Sequence, residues 1–282
     1  MAELFKGIYF RLVKGDTALA LIPSVHSGKD GDSIILQAVT PFGSLQARLP
    51  QGGFYEGGGC PVLVSGRNYF GPRGIVMDFE SDMLSIKGRV DFGGLQPLSY
   101  DIMGPLKYLP LPCRHSVYSM DMGLSGSLAI NGREFDFTGG RGYIEGDRGS
   151  SFPKKYIWSQ SHFEGGSLMV AAASLPAGIR GVTAAVMAGG KEYRLASYLG
   201  ASAAVLPDGG LLIKQGDSIL SLKPQSDPAY AALSAPRKGV MDRSVRESVA
   251  LKADYEFVWK GRRVFAFQSP CAAYENEYPL FD

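Results

Sequence analysis

The 282-residue sequence predicts an all-β fold, and three observations lead there. Its 37 glycines are spread along the whole chain and are not gathered into a linker. Gly and other turn residues recur roughly every 8 to 12 positions between short β-branched and aromatic runs, the rhythm of an antiparallel sandwich or barrel. Helical periodicity is nearly absent. Only 227–233 reads as a helical turn, and Pro224, Pro228 and Pro236 limit it.

Taken in order, the first strands fall at 8–13, 18–22 and 33–39, then at 74–79 and 84–90. A pair at 127–130 and 134–137 flanks Asn131-Gly132, which signals a type I′ hairpin because both central residues need positive φ. Lys87-Gly88 and Asp208-Gly209-Gly210 read as turns on the same grounds. Later strands are expected at 156–163, 168–173, 182–187, 191–199, 210–215, 219–223, 248–258 and 263–268. In the proline-rich stretch MGPLKYLPLP, 103–112, the prolines remove backbone donors, which suits a crossing segment better than a central strand. It marks the join between two β-domains, 1–112 and 113–282. The run beginning at Ile8-Tyr9-Phe10-Arg11 is echoed at Ile157-Trp158-Ser159-Gln160, which raises an internal duplication.

Composition narrows the function classes. An apolar fraction of 45% with 20% charged residues describes a globular protein with ample core. The 29 basic and 27 acidic residues leave a net charge of +2 and form no basic stripe, so nucleic acid is not an expected partner. Cys60, Cys113 and Cys271 show neither CxxC pairing nor zinc-type His spacing, so no metal site is expected. Their sparse, odd count fits buried thiols in a reducing compartment. The segment MAELFKGIYFRLVKGD is charged too early for a secretory signal, and no stretch approaches ~20 apolar residues. A cytoplasmic location without stable membrane insertion is the expectation, with transient membrane contact and oligomeric state left open.

Chemistry concentrates in 142–163, GYIEGDRGSSFPKKYIWSQSHF. Glu145 and Asp147 sit two apart among Gly142, Gly146 and Gly149. In a strand both carboxylates would share a face, and two close acids in an apolar site raise one pKa, leaving a proton donor near neutrality. The alternative is structural: Glu145 pairs with Arg141 or Arg148 and Asp147 caps a turn. From Tyr156 onward, alternation puts Tyr156, Trp158, Gln160 and His162 on one face, as a ligand-cavity wall would require. Aromatic faces there would stabilise a developing cation, although a Trp plugging a barrel end gives the same pattern. His115, after Cys113-Arg114, is a candidate acid or base or a satisfied structural group. His26, in a Ser/Gly-rich stretch, reads as a loop residue.

In order and spacing this segment resembles the signature of the tocopherol cyclase family, GY-x-E-x-x-x-G-x-x-FP-x-x-(aromatic)-x-W-x-Q. Met103 to Phe137 and GIYFRL, Gly7 to Leu12, are similar to the segments that precede it and open the chain in that family. The resemblance implies two lipocalin-like antiparallel β-barrel or sandwich domains, related to carotenoid hydratases, with an apolar cavity in or between them. It also implies a cofactor-independent, acid-catalysed cyclase or isomerase acting on a prenylated quinol or other apolar polyene. Glu145 matches the family's acid, Gly149 its glycine, Phe152-Pro153 its FP pair, and Trp158 and Gln160 its W-x-Q. Gly146-Asp147-Arg148 replaces a Lys-Asn-Trp run, and Ser161-His162 replaces a Cys-Asn. The expected catalytic set is thus Glu145, Asp147 and His115, with Tyr143, Tyr156, Trp158, Gln160 and His162 contacting an apolar small molecule. A non-catalytic carrier or sensor on the same fold is the rival expectation.

Overall fold

The computed structural model describes residues 4–28, 31–57, 59–174 and 180–278. They form two antiparallel sheets, as the glycine-punctuated rhythm requires. The first contains β1 (Phe5–Lys14), β2 (Thr17–Gly28), β3 (Gly31–Thr40), β4 (Gly43–Leu49), β5 (Gly52–Tyr55), β6 (Val62–Ser65), β7 (Asn68–Gly71), β8 (Gly74–Glu80), β9 (Ser85–Phe92), β10 (Cys113–Ile130), β11 (Arg133–Asp136) and β12 (Arg141–Gly149). Its order is β4-β3-β2-β1-β12-β10-β9-β8-β7-β6-β5, with β11 paired to β10.

The second contains β13 (Tyr156–Phe163), β14 (Gly166–Ser174), β15 (Arg180–Ala188), β16 (Lys191–Ala196), β17 (Ser202–Val205), β18 (Leu211–Gln215), β19 (Ser218–Pro224), β20 (Ala231–Arg237), β21 (Val240–Trp259) and β22 (Arg262–Asn276). Its order is β16-β15-β14-β13-β22-β21-β19-β18-β17, with β20 paired to β21. Both sheets begin with a four-strand meander whose first strand, β1 or β13, pairs with the sheet's last strand, β12 or β22. The sequence echo falls on these two matching strands. Sheet membership changes between Gly149 and Tyr156, because β10 and β12 pair with β9 and β1. The sequence division after Pro112 thus falls within the stretch that feeds the first sheet.

Alternation along the strands creates three apolar cores. Ile8, Phe10 and Leu12 point into a core enclosed by the first sheet. Ile157, Leu168 and Val170 point into one enclosed by the second. The opposite faces meet in a third, where Tyr9, Tyr143, Tyr156 and Trp158 pack together between the sheets. β1 and β13 are buried on both faces for this reason, and the interface is where polar residues become trapped.

Local corrections have simple causes. Lys87-Gly88 is not a turn; it lies within β9, where Gly88 faces Leu128. Residues 227–233 contain no helical turn, and their end enters β20. The proline-rich segment forms a short 3-10 turn, Gly104–Tyr108. The Asn131-Gly132 hairpin is present, with φ of 49° and 80°. Changing Gly132 to Val forces a β-branched residue into that left-handed region. A loss of about 1–2 kcal/mol is expected, read as a lower urea midpoint with an unchanged slope. Among the described residues, no helix is long and apolar enough to cross a membrane.

Candidate active site

The acid pair lies in a regular strand. β12 runs between β1 and β10, pairing Glu145 with Tyr9 and Val117, and Asp147 with Gly7 and His115. Both carboxylates therefore share the face turned toward the second sheet. Gly146 between them is required by close packing: a Cβ there would lie 2.8 Å from the Gly7 carbonyl oxygen and 2.8 Å from the Tyr118 ring.

Three side chains surround Glu145. Tyr143 donates its hydroxyl to Oε2 at 2.6 Å, and Trp158 donates Nε1–H to the same oxygen at 3.1 Å. His115 Nε2 approaches it to 3.4 Å without the alignment of a hydrogen bond. On its other side His115 Nδ1 meets Asp147 Oδ1 at 3.1 Å, and the Cys113 thiol donates to that oxygen at 3.4 Å. Arg141 pairs with Asp121, and Arg148 bonds Glu56 at 3.3 Å. Glu145 is thus held by aromatic donors and an imidazole in the interior.

The electrostatics follow from burial. Loss of water raises the Glu145 carboxyl, the His115 charge opposes that rise and Asp147 adds to it, leaving the group at about 7. Burial also disfavours the charged form of His115, but Glu145 and Asp147 outweigh it and lift the imidazole to about 9. At neutral pH the cluster combines an imidazolium with a carboxyl poised between its two states. Burial lifts the Cys113 thiol well above its ordinary range, so it is not a thiolate nucleophile.

A cavity of about 140 Å³ opens against this cluster. The first sheet contributes Cys113, His115, Glu145 and Asp147; the second contributes Tyr156, Trp158, Thr183 and Glu275; Met103, Leu106 and Leu111 roof it from the proline-rich segment. Tyr156 donates its hydroxyl to Glu275, whose carboxyl burial pushes well above its usual range. Expected wall residues therefore divide. Tyr156 and Trp158 line the cavity, while Tyr143 stands behind Glu145. Gln160 shares their face but accepts a hydrogen bond from Arg11 at 2.9 Å. His162 lies farther along, 3.2 Å from the Gly142 carbonyl; burial first, then Arg141 and Arg11, hold it well below its ordinary pKa, so it stays neutral.

Sequence reasoning missed Tyr9, Arg11, Glu247 and Glu275. Tyr9 donates to Glu247 at 2.5 Å and stacks edge-on against Trp158, ring centres 5.3 Å apart. Arg11 is fully buried, donating to Gln160 and to the Val249 and Cys271 carbonyls. A charged residue inside the apolar run IYFRLV was the available signal for Arg11. Nothing comparable marked the two acids. Among the described residues, His115, Glu145 and Asp147 are the group placed to hold a metal ion, with ligand atoms within 4.8 Å of one another. His115 and Asp147 lie on neighbouring strands, a pairing no linear spacing motif records.

No family profile matches the sequence, and no curated protein matches it. Solved structures do share its fold. CghA in complex with Sch210972 is 12% identical with a TM-score of 0.65, covering 99% of this chain and 89% of its own. Kievitone hydratase from Nectria haematococca is 9% identical with a TM-score of 0.58, covering 96% and 88%. At such identities the likeness establishes the two-domain lipocalin-like fold across the whole described chain.

Proposed function

We propose that this chain is a cofactor-independent acid–base catalyst acting on an apolar small molecule in the cavity between its sheets. The carrying observation is Glu145: a buried carboxyl, poised at about 7, on the wall of a largely apolar cavity. Because Oε2 already accepts from Tyr143 and Trp158, the acidic proton belongs on Oε1. Transfer to an alkene or carbonyl of the substrate forms the new C–H or O–H bond, and the O–H electron pair stays on the carboxylate. That anion is met at once by the Tyr143 and Trp158 donors and by the His115 charge, groups already oriented before reaction. Trp158 and Tyr156, both on the cavity wall, are the aromatic groups that would stabilise the cation left on the substrate. Internal capture of the cation by a hydroxyl, with the proton returned to Glu145, completes a cyclisation with no net consumption of acid.

The finer reading is a tocopherol cyclase-like ring closure of a prenylated quinol or related polyene. It draws on the 142–160 motif and on the presence of a hydratase among proteins of this fold. The test begins with mass spectrometry of small molecules that co-purify with the protein, followed by turnover of the compound found or of a prenylated quinol panel. Glu145→Gln is expected to bind the compound but to lose turnover by about 10²–10⁴-fold. Tight binding with no turnover of any panel member by the wild type would identify a carrier.

A further inference from the structure

A second, smaller cavity of about 70 Å³ adjoins the first and shares with it Glu145, Asp147, Phe152 and Glu275. Both spaces thus border the acid cluster, and Phe152 is on the walls of both. The smaller one ends at a residue that reads as a loop histidine in the sequence. His26 is instead in β2, 6% exposed and facing inward. Its Nε2 lies 2.7 Å from Ser24 Oγ, whereas its Nδ1 is buried without a hydrogen-bond partner. A buried, unsatisfied ring nitrogen is costly, and His26 lines this space beside Ile22, Leu233 and Val245, with Ser24, Gln37 and Ser234 among its polar neighbours.

We propose that the smaller cavity is a second arm of the same substrate site, and that His26 Nδ1 recognises a hydroxyl on the substrate other than the one that reacts. This rests on the reading of Glu145 as the reaction centre. Burial holds His26 down at about 4, so the ring is neutral, with one N–H and one lone pair. Ser24 can place its own proton on Nε2 or on the Ile35 carbonyl at 3.3 Å. The first choice makes Nδ1 a donor, the second an acceptor. A hydroxyl satisfies Nδ1 in both cases; a carbonyl or an ether satisfies it in only one. The substrate class that follows is an apolar alcohol or phenol bent around Phe152, its hydrocarbon arm in the larger cavity and its hydroxyl arm in the smaller.

The experiment compares geraniol with 2,6-dimethyl-2,6-octadiene, the same skeleton without the hydroxyl, by headspace gas chromatography over the full-length protein. His26→Leu is expected to weaken geraniol about tenfold or more, the worth of one buried hydrogen bond, while the hydrocarbon changes less than about twofold. His26→Asn, which keeps a polar atom near the position of Nδ1, is expected to restore most of the difference. Equal weakening of both probes, no change in either, or failure of the wild type to retain geraniol would overturn the proposal. The same comparison in the Glu145→Gln background separates the two readings. A His26 effect that persists while Glu145→Gln stays fully active removes the catalytic reading alone. A missing His26 effect with Glu145→Gln inactive removes the hydroxyl arm alone.

Discussion

Arg11→Met is expected to destabilise the protein by about 3–5 kcal/mol at pH 8, the range for removing one partner from a buried polar network. Arg11 is fully enclosed between the sheets, and its guanidinium bonds the Gln160 side chain and the carbonyls of Val249 and Cys271. Methionine fills much of the volume but returns none of those hydrogen bonds. The loss also reaches Glu247, which burial raises and which the Tyr9 hydrogen bond and the Arg11 charge pull back to about 7. Without Arg11 that carboxyl moves higher still. A carboxyl raised in the folded state contributes stability that is fully present below its unfolded value, 4.5, and is lost as pH rises through the folded value. The Arg11→Met penalty should therefore grow from pH 5 to pH 8. Adding Glu247→Gln should remove most of that pH dependence. Urea unfolding at both pH values measures this, and an equal penalty at pH 5 and pH 8 would separate Arg11 from Glu247.

How much of this was legible depends on whether local chemistry or sheet packing decides. Asn131-Gly132 was readable because a turn is a four-residue problem. The two faces of β13 were readable because alternation is local: Ile157 enters the second sheet's core while Trp158 faces the first sheet. β12 was harder, since Gly142, Gly146 and Gly149 are turn residues by composition. Their presence in a strand is explained only by neighbours such as Gly7 and Tyr118, which leave no room for a Cβ at 146. His26 failed for the same reason, its Ser and Gly neighbours masking a twelve-residue strand. The Tyr9–Glu247 contact, 238 residues apart, arises only when two sheets pack face to face. The Tyr9 ring that packs edge-on against Trp158 is thus held by a partner that linear spacing cannot specify.

The pH profile of turnover gives the sharpest reading of the Glu145 cluster, because two substitutions should move it in opposite directions. A general acid must be protonated to act, so the wild-type rate should fall as pH rises through about 7, the value at which burial, His115 and Asp147 together hold Glu145. His115→Leu removes the cation that pulls Glu145 down, leaving burial and Asp147 to push it up. The descending limb should then move to higher pH, by about one unit for each ~1.4 kcal/mol of interaction lost. Asp147→Asn removes a charge that raises Glu145, so its limb should move to lower pH. A merely structural role for His115 and Asp147 would lower the plateau in both variants without displacing the limbs. A second consequence concerns stability. Glu145 and His115 are both raised in the folded state, to about 7 from 4.5 and about 9 from 6.5, so their contributions are lost as pH rises through those intervals. His115→Leu should therefore change the shape of the decline in the urea midpoint: the imidazole's share between pH 6.5 and pH 9, where the folded protein keeps a proton that the unfolded chain has lost, disappears, while Glu145's share extends above pH 7 as its carboxyl rises. Limbs that stay fixed in both variants, with that decline unchanged, would remove the coupled acid–imidazole–acid arrangement as the origin of activity.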